Sequence, residues 1–151
     1  MVVQLHRDDD GDGQPDRATP FATTTTDTSG YYLFTGMAAG DWVIELPTEN
    51  FEADAVLEGW HSTGGVIGAG DENDDGLDPA TVGGAVFTDT ITLAAGTMPI
   101  LEDDKPTGGL DWDGLGDANV DLTYDFAFST LSIGNRVCLL YTSPSPRDRY
   151  I

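Results

Sequence analysis

The spacing of the apolar residues limits the fold of this chain more than any other feature. They alternate or cluster in short runs, which are separated by Gly, Asp, Asn and Pro. Before residue 138 almost no segment places apolar residues three and four positions apart, as an amphipathic helix requires. Alternation with a period of two, bounded by turn-forming residues, is typical of half-buried β-strands. The sequence therefore predicts an all-β chain.

Seven short runs carry the strand pattern, and together they predict two packed antiparallel sheets. They are residues 2–5, 21–26, 31–34, 42–46, 86–93, 98–101 and 120–128. In the last run every second residue is apolar, and Asp121, Thr123 and Asp125 lie between and are expected to face water, so we expect a central core strand there. Residues 27–30, Asp-Thr-Ser-Gly, are typical of a tight hairpin turn. A helical turn is expected only within residues 50–59.

The charge of the chain is strongly acidic and lies mainly in Asp. The formal net charge is -21, and 21 of the 27 acidic residues are Asp. This charge disfavours nucleic-acid phosphates and anionic membrane surfaces as partners and favours cations. Because Asp prefers turns and hard-metal loops, the acidity is expected in loops. A generally acidic surface kept for solubility is the alternative. No apolar run is long enough for a membrane span, so no membrane insertion is expected.

Residues 8–16, Asp-Asp-Asp-Gly-Asp-Gly-Gln-Pro-Asp, form the strongest local motif. Read from its first residue, the motif has oxygen donors at positions 1, 3, 5, 7 and 9 of a calcium loop, the seventh through a backbone carbonyl. These donors are Asp8, Asp10, Asp12, Gln14 and Asp16. Gly13 supplies the sharp turn at position 6. Position 12 is Thr19 in place of the bidentate Glu of an EF-hand, so another segment is needed to complete the shell. A solvated acidic turn is the alternative.

Two later acidic clusters are weaker candidates for calcium. The second site has one donor displaced from the register and consists of Asp71, Asn73, Asp75 and Asp78. The third lacks a clean register and is expected only to contribute to a shared site. Its members are Asp111, Asp113 and Asp117, with Asp103 and Asp104 nearby.

Motifs for catalysis are not apparent. The chain has no nucleophile-elbow Ser and no phosphate-cradling Gly-rich loop, and its carboxylates are explained better by calcium than by glycoside hydrolysis. We therefore expect no catalytic residues and no enzyme activity. Trp60 and Trp112 remain candidates for an aromatic platform that binds sugar or protein.

Residues 138–148, CLLYTSPSPRD, differ in composition from everything before them. They resemble the in-frame translation of a transposase-type sequencing adapter, so we expect residues 138–151 not to be native. A Pro-rich linker to another domain is the alternative.

Several segments together resemble the SD-repeat protein B domain family, which is related to collagen-adhesin B-type modules of bacterial surface proteins. They are VVQLHRDDDGDGQPD at 2–16, TTTTDTSGYYLFTGMAAGDWVIELP at 23–47, EGWHSTGG at 58–65, NVDLTYDFAF at 119–128 and LSIGNRV at 131–137.

The resemblance implies an immunoglobulin-like (prealbumin-like) β-sandwich, repeated in tandem, with calcium sites in long acidic loops. Residues 1–129 would form one repeat, and residues 130–137 the opening strand of the next. The implied role is a calcium-stabilised stalk or spacer in a secreted or cell-surface adhesin. Its partners would be neighbouring repeats in the same chain. Direct recognition of an extracellular protein or glycan is the alternative function.

Overall fold

The structure is a computed structural model that describes residues 1–63, 75–77, 79–81, 83–98 and 121–130. Within these residues the regular structure is β-strand apart from one short 3₁₀ helix, so the all-β prediction is confirmed. Every strand pair found there is antiparallel. The described part of the chain has no helix that is long and apolar enough to cross a bilayer.

The described strands form two sheets. In chain order they are β1 (Val2–Arg7), β2 (Ala22–Thr25), β3 (Gly40–Leu46), β4 (Trp60–Ser62), β5 (Val86–Phe87), β6 (Ile91–Leu93) and β7 (Phe128–Thr130). The larger sheet has five strands in the order β2-β1-β3, and both β5 and β6 pair with the other edge of β3. The smaller sheet pairs β4 with β7.

The core lies against one face of β1 and β3. Val3 and Leu5 alternate along β1, and Leu5 pairs directly with Ile44 of β3. Trp42 and Leu46 are fully buried on either side of Ile44. Because side chains two residues apart share a face of a strand, this register brings the apolar faces of the two strands together.

Residues 31–34 were predicted to form a strand, and that prediction is wrong. Residues 27–30 do form a turn, because the Asp27 carboxylate accepts hydrogen bonds from the N–H groups of Ser29 and Tyr31, and Gly30 has a φ of 96°. The turn is not part of a hairpin, since no strand follows it directly. Beyond it the chain contacts the core through side chains, and the Tyr32 hydroxyl donates to the carbonyl of Tyr124, 2.8 Å away. Inward-facing aromatic side chains account for the β-like pattern.

Residues 86–93 were predicted to form one strand but form two, β5 and β6. At the break, Thr88 bonds to Ile44 of β3 twice: its N–H donates to the Ile44 carbonyl, and its hydroxyl accepts from the Ile44 N–H, both at 3.0 Å. Since a side chain replaces a backbone carbonyl there, the regular ladder stops. The chain then leaves the sheet at Asp89 and returns at Ile91.

Residues 120–128 were predicted to form a central core strand, which is wrong for the residues that the structure describes. Only Phe128 belongs to a strand, β7 of the small sheet, and the Asp125 carbonyl accepts a backbone hydrogen bond from the Asp75 N–H at 2.8 Å. The alternation nevertheless identified inward-facing residues, because Tyr124, Phe126 and Phe128 pack against the core.

Asn50 holds the start of β1 in place. The helical turn expected in residues 50–59 is not formed there, because the 3₁₀ helix covers Thr48–Asn50 and residues 51–59 form turns and bends. The Asn50 side-chain carbonyl accepts from the Val2 N–H, and its amide donates to the Val2 carbonyl, both at 2.8 Å. The buried amide therefore takes the place of a strand residue beside β1.

Replacing Asn50 with Ala should lower the free energy of unfolding by about 2 kcal/mol, because both polar groups of Val2 lose their partner. Urea unfolding would measure the loss as a lower midpoint at unchanged slope. Glu49→Ala is the matched control, since Glu49 is exposed, and its change should stay within about 0.5 kcal/mol. Equal midpoints for the two variants would contradict this role of Asn50.

Candidate metal centre

The acidic loop of residues 8–16 follows β1 directly, and backbone hydrogen bonds fix both of its ends. The Asp8 N–H donates to the Asp41 carbonyl at 3.2 Å, which continues the pairing of β1 with β3. The Asp16 N–H donates to the Arg7 carbonyl at 3.0 Å. The loop therefore leaves the sheet and returns to the same point, and the carboxylates at its two ends come together.

Asp8 is the buried carboxylate of the loop, with 0% of its surface exposed. Its Oδ1 accepts a hydrogen bond from the Asp12 N–H at 3.0 Å. Its Oδ2 accepts from the Gly13 N–H at 3.1 Å and from the Thr90 hydroxyl at 2.6 Å. The carboxylate thus organises the loop around itself and ties it to the turn between β5 and β6.

The Asp8 carboxylate stays ionised in spite of its burial. Burial acts to raise the pKa of Asp8, but the hydrogen bonds from Thr90 and from the backbone of Gly13 and Asp12 outweigh it, and the pKa is lowered from its ordinary value. In the part of the chain that the structure describes, no Lys, Arg or His side chain forms an ion pair with Asp8. A buried negative charge without a cationic side chain fits a bound metal ion.

Asp10 shows the repulsion within the loop. Its side chain is exposed, and its pKa is raised by the negative charge of Asp12 first, then by desolvation and by the charges of Asp16 and Asp8. Bringing carboxylates this close is unfavourable unless a cation lies among them. A divalent ion among these carboxylates would attract each of them and so offset their mutual repulsion.

Three carboxylates have the spacing that one ion needs. Asp8, Asp10 and Asp16 each offer an oxygen, and these oxygens lie within 4.8 Å of one another. Because Ca²⁺ binds oxygen at about 2.3–2.6 Å, two oxygens on one ion are at most about 5 Å apart. An all-carboxylate set favours a hard cation over Zn²⁺, which prefers nitrogen and sulfur donors. The residues therefore fit calcium.

The other predicted members of the loop have different contacts. Asp12 lies outside the group of three, and its Oδ1 accepts from the Gln14 N–H at 2.9 Å. The Gln14 side-chain amide donates to the Gly13 carbonyl at 2.8 Å. The Asp9 N–H donates to Asp16 Oδ2. These bonds shape the loop around the three carboxylates.

Gly13 makes the turn expected at position 6. Its φ of 74° is in the left-handed region, and a Cβ added there would lie 3.1 Å from Asp89 Oδ1. The turn between β5 and β6 therefore packs directly against the acidic loop. Sequence reasoning missed Asp89 and Thr90, although three polar residues, 88–90, interrupt an apolar run and were a usable signal.

The later acidic clusters lie mostly outside the described residues. Asp71, Asn73 and Asp78 of the second site are outside them, as are Asp111, Asp113 and Asp117 of the third. Asp75 is described, and its Oδ2 accepts from the Asp125 N–H at 3.0 Å. It therefore connects its segment to residues 121–130.

No protein-family model matches the chain, and neither a curated protein nor a solved structure matches it.

Replacing Asp10 with Asn should have opposite effects with and without calcium. In chelator the melting temperature should rise, because one repelling charge is removed. In excess calcium it should fall, because a ligand oxygen is weakened. Scanning calorimetry in the two buffers would measure both. Asp9→Asn is the matched control, since Asp9 is exposed in the same loop and outside the group of three. A change of the same sign in both buffers would count against a cation at Asp10.

Proposed function

We propose that this chain is a calcium-stabilised structural module, a stalk or spacer of a secreted or cell-surface bacterial protein of the adhesin type. One observation carries the proposal: the ionised carboxylate of Asp8 is fully buried, has no cationic side-chain partner in the described residues, and lies with Asp10 and Asp16. Calcium would balance its charge.

Its position gives the ion a structural role. The loop leaves the end of β1, closes at Arg7, and bonds through Asp8 to the turn before β6. A cation on Asp8, Asp10 and Asp16 would hold both ends of the loop together, and through Thr90 would link β1 to the far edge of β3. Ion binding would thus resist separation of the strands, which suits a module that transmits force.

The two sheets support an immunoglobulin-like β-sandwich as the fold of the module. Side chains from outside the large sheet cover its apolar face, among them Tyr32, Phe34, Tyr124 and Phe126. Phe128 of β7 contacts Phe51 with ring centroids 5.9 Å apart, so the small sheet adjoins the same core. The resemblance to SD-repeat B domains adds tandem neighbours as partners.

Calcium should stabilise the full chain and magnesium should do so much less, because Mg²⁺ demands stricter geometry and gives up its waters reluctantly. At 100 times the dissociation constant the gain is about 2.7 kcal/mol. Calorimetric titration would give that constant, and urea unfolding in calcium and in chelator would give the gain. Asp8→Asn should abolish it. A wild-type chain equally stable in calcium and in chelator would overturn the proposed function.

A second function, direct recognition of a glycan or protein, is favoured by the exposure of Trp60. This residue opens β4 and leaves 41% of its surface exposed. Large exposed aromatic side chains often mark ligand-binding surfaces. Saturable binding on a glycan array that Trp60→Ala removes, with calcium stabilisation retained, would assign this function. An array without binding would leave Trp60 as a surface residue only.

A further inference from the structure

Thr90 makes the longest-range contact of the acidic loop. Its hydroxyl donates to Asp8 Oδ2 at 2.6 Å across 82 residues of sequence. Its neighbour Asp89 lies against Gly13 on the same side of the loop. The turn between β5 and β6 thus packs against one side of the loop, and Thr90 of this turn donates a hydrogen bond to the buried Asp8 carboxylate.

The strand that follows Thr90 holds this contact rigidly. Ile91 is 3% exposed in the core and pairs with Trp42 of β3. Threonine is branched at Cβ, so its side chain has few rotamers to lose when it makes the bond. The Asp8 carboxylate is therefore oriented by a contact from the large sheet.

We propose that Thr90 is a positioning residue for the cation site, and that through it occupancy of the site stabilises β6. The inference rests on the proposed function, since it concerns the same ion. A fixed carboxylate loses less conformational freedom on binding an ion than a mobile one, so affinity is higher. Outer partners of metal ligands typically contribute about 10- to 100-fold in affinity.

The coupling is reciprocal. If Thr90 raises the affinity for the ion, the ion must stabilise the arrangement in which Thr90 contacts Asp8 by the same factor. Calcium should then slow hydrogen exchange in residues 88–93, which include Thr90 and β6. Residues 60–62 of β4, in the other sheet, provide a reference segment.

Three variants of the full chain separate this role from general stability. Thr90→Val keeps the shape of the side chain and removes the hydroxyl, whereas Thr90→Ser keeps the hydroxyl. Thr92→Val is the matched control: the Thr92 hydroxyl donates to Asp41 Oδ1, also at 2.6 Å, and not to the Asp8 carboxylate. The control therefore loses the same kind of bond while the Asp8 carboxylate keeps its own hydrogen bonds.

Calorimetric titration with calcium chloride should show affinity about 10- to 100-fold lower for Thr90→Val. Affinity should be unchanged in Thr92→Val and largely restored in Thr90→Ser. Wild-type affinity in Thr90→Val would overturn the role of Thr90 and leave the calcium site standing. No calcium binding by the wild-type chain would overturn both.

Hydrogen exchange of the wild-type chain keeps the test decisive if Thr90→Val does not fold. Calcium should slow exchange in residues 88–93 more than in residues 60–62. Equal slowing of the two segments, or none, would contradict the coupling, even if titration shows that calcium binds.

Discussion

The charge of Asp8 is the constraint on which this architecture depends. Its carboxylate is enclosed by protein, stays ionised through hydrogen bonds from the loop and from Thr90, and has no cationic side-chain partner in the described residues. These hydrogen bonds outweigh the cost of burying this one charge, and the pKa of Asp8 lies below its ordinary value. Asp10 and Asp16, with oxygens within 4.8 Å, add further negative charge at the same point. A divalent cation is the simplest counter-charge, and the oxygen-only donor set suits a hard cation such as calcium.

β1 shows how such a site would act on the whole fold. At its start, the Asn50 amide brackets Val2 with two hydrogen bonds. Just beyond its end, Asp8 is held by Thr90 from the opposite edge of the sheet. Side chains from elsewhere in the chain therefore fasten both ends of this strand. The Asn50 amide is neutral and needs no ion, whereas Asp8 is a buried carboxylate. Calcium would therefore affect the stability of the fold at the end of β1 that lies beside the loop.

Much of this fold was predictable from the sequence because apolar periodicity records which side chains face inward. Periodicity does not record whether the backbone pairs with a neighbouring strand. Tyr32 lies in a segment that was predicted to be a strand and packs against the core, yet the segment lies outside the sheets and contacts them through side chains. Tyr124 and Phe126 show the same separation of burial from pairing.

Of the candidate metal site, too, the sequence predicts one part and not the other. The carboxylates within the loop were predictable, since the spacing of Asp8, Asp10 and Asp16 determines which of them converge. Asp12 fits the same spacing, but its Oδ1 accepts a hydrogen bond from the Gln14 N–H within the local turn and is not in the group of three. Thr90 lies 82 residues away, and only the pairing of β6 with β3 brings it to Asp8.

A crystal structure of the chain grown with calcium, with anomalous differences measured at long wavelength, would show whether an ion binds the acidic loop. We expect an anomalous peak about 2.3–2.6 Å from carboxylate oxygens of Asp8, Asp10 and Asp16. An ordered loop without such a peak, in which a protein cation pairs with Asp8 or only water surrounds it, would contradict a calcium site.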